Sequence, residues 1–328
     1  MILVLTALST LCAAVPMLVF LSLVWWLDRY DREPIWLLGL TFAWGALGAI
    51  VLALIGSTLL LLPVAAIAPG VADATGAVVI APLIEEPAKA FILLLIIWNK
   101  HFDNMTDGFV YGAAAGLGFG MTENFLYFAS AAATGNPWNW LFTVIIRTMY
   151  SAVMHASATS VVGATLGFAR FRGCLALGLL APVGLALGMG IHGLWNGLLT
   201  MDSLAHLGGM GFGANLLFFP FEFLFVFGIY QVCLFDESLT IRRELREESA
   251  AGLIPTEHAE ILGSWWRRNR RSWVPAGVDH HRYVHTATTL ALRKWQLAMS
   301  RGREEAFYKR EVEKLRQQVG ALLHPAKA

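Results

Sequence analysis

The sequence predicts an all-α fold: a polytopic membrane helix bundle of about seven transmembrane helices, followed by a polar, partly helical C-terminal tail. Three observations carry that prediction. Hydrophobic residues make up 57% of the 328 positions and charged residues only 14%, whereas a soluble domain carries charge on roughly a quarter of its residues. Apolar segments near 3–27, 35–62, 77–98, 108–131, 145–168, 174–200 and 212–235 each exceed the roughly 20 residues needed to cross a bilayer. Of the 24 Lys and Arg residues, 17 lie from Asp236 onward and 7 before it, so a lipid-soluble body at 1–235 gives way to a basic, water-soluble tail at 236–328.

The net charge of +1 says nothing about partners. Cys12, Cys174 and Cys233 lie in apolar stretches without ligand-like spacing, which argues against a disulfide framework or a cysteine metal site. The N-terminus is apolar from Ile2 and lacks the positive region of a secretory signal, so it reads as a retained transmembrane helix. Ser9-Thr10-Leu11-Cys12 is a poor lipoprotein box. The stretch Asn136-Pro137-Trp138-Asn139-Trp140 reads as an interfacial segment ahead of the fifth helix.

Basic residues order the connections. Arg29 and Arg32, Lys100, Arg170 and Arg172, and then Arg242, Arg243 and Arg246 fall on one side; the connections near 63–76, 132–144 and 201–211 carry none. By the positive-inside rule this predicts a multi-pass protein of the cell membrane with an extracytoplasmic N-terminus and a cytoplasmic C-terminus. In the tail, Asp236–Glu248 and Ala291–Val319 have helix-forming composition. Trp265-Trp266-Arg267-Arg268-Asn269-Arg270-Arg271-Ser272-Trp273 interleaves aromatics with Arg, suiting either attachment to the anionic inner leaflet or simple solvation. Nucleic acid is not an expected partner.

Ionisable groups inside a membrane are expensive and mark function. The seven segments hold Glu85, Glu86, Lys89, Glu123, Arg147, His155, His192 and Glu222. At about 1.5 Å of rise per residue, Glu85 and Glu86 stand roughly 12 Å below the outer end of the third segment. Glu123, His155 and His192 come to a similar depth on three further helices, so four helices place titratable groups in one slab.

Each motif has its own geometry. Glu85 and Lys89 share a helix face at i,i+4, while Glu86 points about 100° away. Pro87 removes a backbone donor beside the carboxylates. Phe119 and Glu123 share a face within a run of Gly and Ala that lets helices approach closely, and Asn124 can bond to Glu123 or to a neighbour. His192 and Asn196 form a third i,i+4 pair, combining a base or ligand nitrogen with a neutral amide donor. His155 divides evenly between site and packing. Arg147 reads as an interfacial anchor or counter-ion, and Glu222 as a structurally paired residue. Ser157 and Ser160 lack a nucleophile-elbow context.

Glu85-Glu86-x-x-Lys89, Phe119-x-x-x-Glu123 and His192-x-x-x-Asn196, with Asp28-Arg29-Tyr30-Asp31-Arg32-Glu33-Pro34 after the first helix, resemble the PrsW family of intramembrane proteases over roughly residues 20–235. That family shares a superfamily with the CAAX prenyl endopeptidases and bacteriocin-processing enzymes. The prenyl branch resembles Glu-Glu-x-x-x-Arg followed by Phe-x-x-x-His; here Lys89 comes one position early and Glu123 stands where that His would be. The resemblance therefore implies site-1-type cleavage of a membrane-anchored protein, such as an anti-sigma factor, rather than CAAX processing.

In such an enzyme Glu85 or Glu86 would activate water and His192 would position it or protonate the leaving amine. Asn196 would face the oxyanion, and Glu123 and His155 would orient the others. If a metal were used, Glu86, Glu123 and His192 would bind zinc, although no His-Glu-x-x-His is present; the sequence leaves metal-dependent and metal-free mechanisms open. Two rival functions draw on the same residues. A proton or cation transporter predicts titratable groups across the full thickness and internal repeats, and a non-catalytic scaffold would use the fold to present the tail.

Overall fold

The computed structural model describes residues 1–205 and 208–324, and its described residues are helical throughout, joined by turns. The chain divides into two compact units, the first comprising Met1–Leu27 and Glu33–Tyr230, the second Asp28–Arg32 and Gln231–Ala328.

Helices occupy all seven places where apolar segments predict them. Five are long and apolar enough to cross a membrane: α1 (Ile2–Leu27), α2 (Ile35–Ile67), α5 (Pro137–Arg170), α6 (Cys174–Ala205) and α7 (Met210–Ala250). The other two, α3 (Ala81–Ile96) and α4 (Met105–Ala133), carry the charged motifs, which lower their apolarity. Outer helices leave large apolar side chains bare: Leu3 is 85% exposed, Ile67 85% and Leu217 75%. Such a surface is stable only where the surroundings are as apolar as the side chains.

Local chemistry sets the helix starts. Asn104 caps α4, its side chain accepting from the Thr106 and Asp107 backbone N–H groups at 2.6 and 3.1 Å, while Asp107 accepts in return from Asn104 N–H at 3.1 Å. Asn136 caps α5, its side chain accepting from the Trp138 and Asn139 N–H groups, with Pro137 in the first helical turn. The fifth helix therefore begins at Pro137 rather than near 145, and the stretch expected to lie at the interface is its first turn. Trp140 is buried there, its indole N–H donating to Ser9 Oγ at 2.9 Å.

The interior of the first unit is the contact between α4 and α5, sealed by small residues at four-residue spacing. A Cβ on Gly108 would stand 2.1 Å from the Gly163 carbonyl oxygen; on Gly112, 2.3 Å from that of Thr159; on Gly116, 2.3 Å from that of His155. The two backbones touch, leaving no room for a methyl group. Around this seam Leu37, Leu38, Phe42, Leu93, Leu117 and Leu166 form the buried apolar core.

The second unit has a core of its own, which the polar composition of the tail does not announce. Ile241, Leu245, Leu262, Tyr283, Leu290 and Val319 pack together, drawn from α7, α8 (Thr256–Leu262), α9 (His280–Met299) and α10 (Arg303–Leu323). The helical segment expected over Ala291–Val319 is interrupted between α9 and α10, where Gly302 takes a left-handed φ of 66°. Glu248 joins three of these helices through Lys294 Nζ at 2.7 Å and Arg316 Nη2 at 2.7 Å. Burial pushes its carboxyl up, but Arg316 and Lys294 outweigh that effect and hold it below the usual glutamate range.

Two outcomes are expected. Gly116→Ala, by forcing α4 and α5 apart at His155, should destabilise the first unit by about 1–3 kcal/mol in thermal unfolding. Glu248→Gln should weaken hydrogen-exchange protection of α9 and α10 in the full chain by about 2 kcal/mol, less than a wholly buried pair because Arg316 is partly exposed. The depressed pKa makes this contribution complete above the ordinary glutamate range and lost as pH falls through the folded value, so wild type and variant should converge in acid.

Candidate active site

The titratable residues that the sequence places at one depth on α3, α4, α5 and α6 meet in one buried cluster. Lys89 lies at its centre with no solvent exposure. Its ammonium donates to Glu86 Oε1 at 2.8 Å, to Glu85 Oε2 at 3.2 Å and to His155 Nδ1 at 3.0 Å. The Phe119 ring covers it at 4.0 Å from Nζ, a cation–π contact that accounts for an aromatic residue one turn before Glu123. The i,i+4 pair with Glu85 is present, but Glu86, one residue closer, makes the shorter bond.

The two adjacent glutamates sit in different surroundings. Glu86 is fully buried and saturated: Oε1 also meets His192 Nδ1 at 2.9 Å, and Oε2 accepts from Thr159 Oγ1 at 3.0 Å. Glu85 keeps 12% of its side chain exposed and, among the described residues, has Lys89 as its one close partner, with His192 Nε2 3.9 Å from Oε2.

Hydrogen-bond roles then fix both imidazoles. A carboxylate only accepts, so His192 donates from Nδ1 and leaves the lone pair of Nε2 on the side of Glu85. An ammonium only donates, so His155 accepts at Nδ1 and donates from Nε2 to Glu123 Oε2 at 2.7 Å. The two rings stand nearly perpendicular, 5.0 Å apart. Arg147 Nη2 donates to the same Glu123 oxygen at 2.6 Å and Arg147 Nε to Asn124 Oδ1 at 3.0 Å. Arg147 is thus a counter-ion, carried on a π-helical turn, Arg147–Ser151, inside α5.

Some residues lie elsewhere or act differently. Asn196 donates its amide N–H to the Ala77 carbonyl at 2.8 Å, tying α6 to a second π-helical turn, Gly76–Ile80, that leads into α3. Ser160 Oγ donates to the Ala156 carbonyl at 2.6 Å, and Ser157 lines an apolar cavity outside the cluster. Glu222 was expected to be paired; instead both its carboxyl oxygens are buried without a hydrogen-bond partner among the described residues, beside an apolar groove between α6 and α7. Thr159, not among the residues singled out from sequence, joins the cluster through Glu86. Its signal was the four-residue spacing from His155.

A profile described as PrsW family intramembrane metalloprotease matches residues 33–227, more than half of the chain. The chain belongs to the PrsW family. The Protease PrsW of Bacillus subtilis is 31% identical over 118 residues, covering 36% of this chain and 50% of that protein. That of Geobacillus kaustophilus is 29% identical over 157 residues, 48% of this chain and 64% of the relative. That of Clostridioides difficile is 34% identical over 122 residues, 37% and 50% respectively. The chain therefore spans between 50% and 64% of the length of these curated relatives. No solved structure matches it.

The PrsW description names a metalloprotease, so the donors bear examination. Ligand atoms of Glu85, His155 and His192 lie within 4.8 Å of one another. This differs from the set read from sequence: Glu86 and Glu123 are taken up by Lys89, His192 and Thr159 and by Arg147 and His155. Two imidazoles and a carboxylate are the donor types of a catalytic zinc site. Two of the three already turn to Lys89 Nζ, however, and an ammonium cannot share that space with a metal ion. As arranged, the residues do not fit zinc.

Thr159→Val, which keeps the shape and removes the donor, should leave Glu86 Oε2 buried without a partner. A loss of about 1–3 kcal/mol in thermal stability is expected, with Thr159→Ser retaining most of the wild-type value.

Proposed function

We propose that this chain is an intramembrane endopeptidase that cleaves a membrane-anchored protein by carboxylate-activated water, with Glu85 as the general base. The observation that carries this reading is the divergence of the two glutamates: Glu86 is saturated and inaccessible, whereas Glu85 is partly exposed and faces the open nitrogen of His192. Glu85 takes a proton from water as the oxygen adds to the scissile carbonyl carbon. Glu85 hands that proton to the open Nε2 of His192, which is oriented by Glu86, and His192 delivers it to the nitrogen as the C–N bond breaks. Lys89 holds both carboxylates and the His155 ring, and the Glu123–Arg147 pair fixes the far side of that ring. Asn196 gives one amide proton to Ala77 and keeps a second, which in this reading turns to the oxyanion as a neutral donor from one helical turn beyond His192. No step passes through a metal.

The family membership and the depth of the cluster support a site-1-type cut near the extracytoplasmic end of a single-pass substrate, with an anti-sigma factor as the substrate class. In this reading α3 and α4 complete seven crossings, the N-terminus is extracytoplasmic and the C-terminus cytoplasmic.

Reconstituted with a single-pass substrate, Glu85→Gln and His192→Ala should each lower the cleavage rate at least about 100-fold. Cleavage by the wild type should persist in a strong chelator, because Lys89 supplies the cation. Full cleavage by both variants would remove the peptidase reading; loss on chelation with recovery on added zinc would replace the metal-free mechanism.

A further inference from the structure

The second unit holds a cleft of about 510 Å³ whose lining includes Arg29, Arg242, Trp265 and Trp266 and, among the described residues, no acidic side chain. Its construction is specific. The Arg29 guanidinium lies over the Trp265 ring, 4.7 Å from the centroid, and Trp266 abuts Trp265 edge-on at 4.6 Å. Arg242 runs flat against Gly263, where an added Cβ would stand 2.2 Å from Arg242 Cγ. The Gly263 carbonyl already accepts from Ser238 Oγ at 2.6 Å and Tyr30 Oη at 3.1 Å. Arg242 Nη2 reaches it only at 3.4 Å, and Arg242 Nε is a buried donor without a partner among the described residues. Two guanidinium groups, one with an unmet donor, thus face a cavity that provides no carboxylate.

The apolar wall identifies the occupant. Val232 and Phe235 belong to the last turns of the apolar stretch of α7, and Phe235 is 63% exposed. Trp266, on the rim, is 72% exposed. Arg29 follows α1 by two residues, and Arg242 stands seven residues, roughly 10 Å of helix, beyond Phe235. Basic groups that immediately follow a membrane-length apolar stretch and carry exposed aromatics lie at headgroup level. Paired Arg forks match phosphate oxygens, and Trp suits the boundary between headgroup and acyl chain.

We propose that this cleft binds the phosphate of an anionic phospholipid headgroup, with Arg29 and Arg242 on the phosphate and Trp266 and Phe235 against the acyl chains. The proposal rests on the crossing of α1 and α7 and not on the peptidase reading; binding is measured without substrate, so the two fail separately. The full-length chain, released from detergent micelles in native mass spectrometry, is offered dioctanoyl phosphatidylglycerol, dioctanoyl phosphatidylcholine or inorganic phosphate in separate arms. Phosphatidylglycerol should be retained at least about fivefold more strongly than phosphatidylcholine, and phosphate alone should not be retained. Arg29→Gln and Arg242→Gln should each lower that retention about fivefold. Arg242→Lys should recover part of it, and Arg310→Gln, exposed on α10, should change nothing. Gly263→Ala keeps every charge and displaces Arg242, so it should also lower retention, and it decides the matter if a Gln variant misfolds. Equal retention of the two lipids, retention unaltered in Gly263→Ala and the Arg29→Gln/Arg242→Gln double variant, or retention of free phosphate without lipid preference would overturn the proposal.

Discussion

A buried ammonium organises the membrane unit. Lys89 is sealed from solvent yet meets two carboxylates and an imidazole within 3.2 Å, under the face of Phe119. Taking an ion from water into an apolar interior costs several kcal/mol, and that cost is met only when nearly every donor finds an acceptor in good geometry. The consequence reaches four helices: α3 must turn Glu85 and Glu86 inward, α5 must bring His155 to the same level, α4 must hold Phe119 over the charge, and α6 must place His192 against Glu86. Any one of these helices displaced by a few ångströms would leave a charge buried and unpaired.

That requirement explains the small residues. A hydrogen bond from His155 to Glu123 across the α4–α5 interface needs the two backbones in contact, and glycine at 108, 112 and 116 removes the side chains that would separate them. Van der Waals contact between backbones, rather than burial of large apolar groups, holds helices together where the surroundings are themselves apolar. The π-helical turns act at the same places. Arg147–Ser151 carries Arg147 to Glu123, and Gly76–Ile80 offers the Ala77 carbonyl to Asn196.

The second unit obeys different physics. Its helices bury Leu, Ile and Tyr against one another and tie Glu248 to Lys294 and Arg316, as a water-soluble domain does. His258 lies within this core, its side chain 2.8 Å from Tyr283 Oη, and burial lowers the imidazole's pKa. Little of this was legible in the tail's composition, because a small core needs few apolar residues and those are spread across four helices that no single periodic run displays.

By itself the sequence determined the helical membrane character and the places of the helices. It also set the pairings within one helix, because rise and angle per residue are constants of the α-helix and lipid forbids exposed backbone. It named Glu85, Glu86, Glu123, His155 and His192 as one group but left Glu85 and Glu86 interchangeable and expected a pairing for Glu222 that the described residues do not provide. Only the tertiary structure distinguished the two glutamates. The difference lies in what the neighbouring helices bring: His192 from α6 and Thr159 from α5 converge on Glu86 and leave Glu85 the freer carboxylate. Which side chains share a hydrogen bond across helices depends on interaxial distance and rotation, and no spacing within a single helix encodes either.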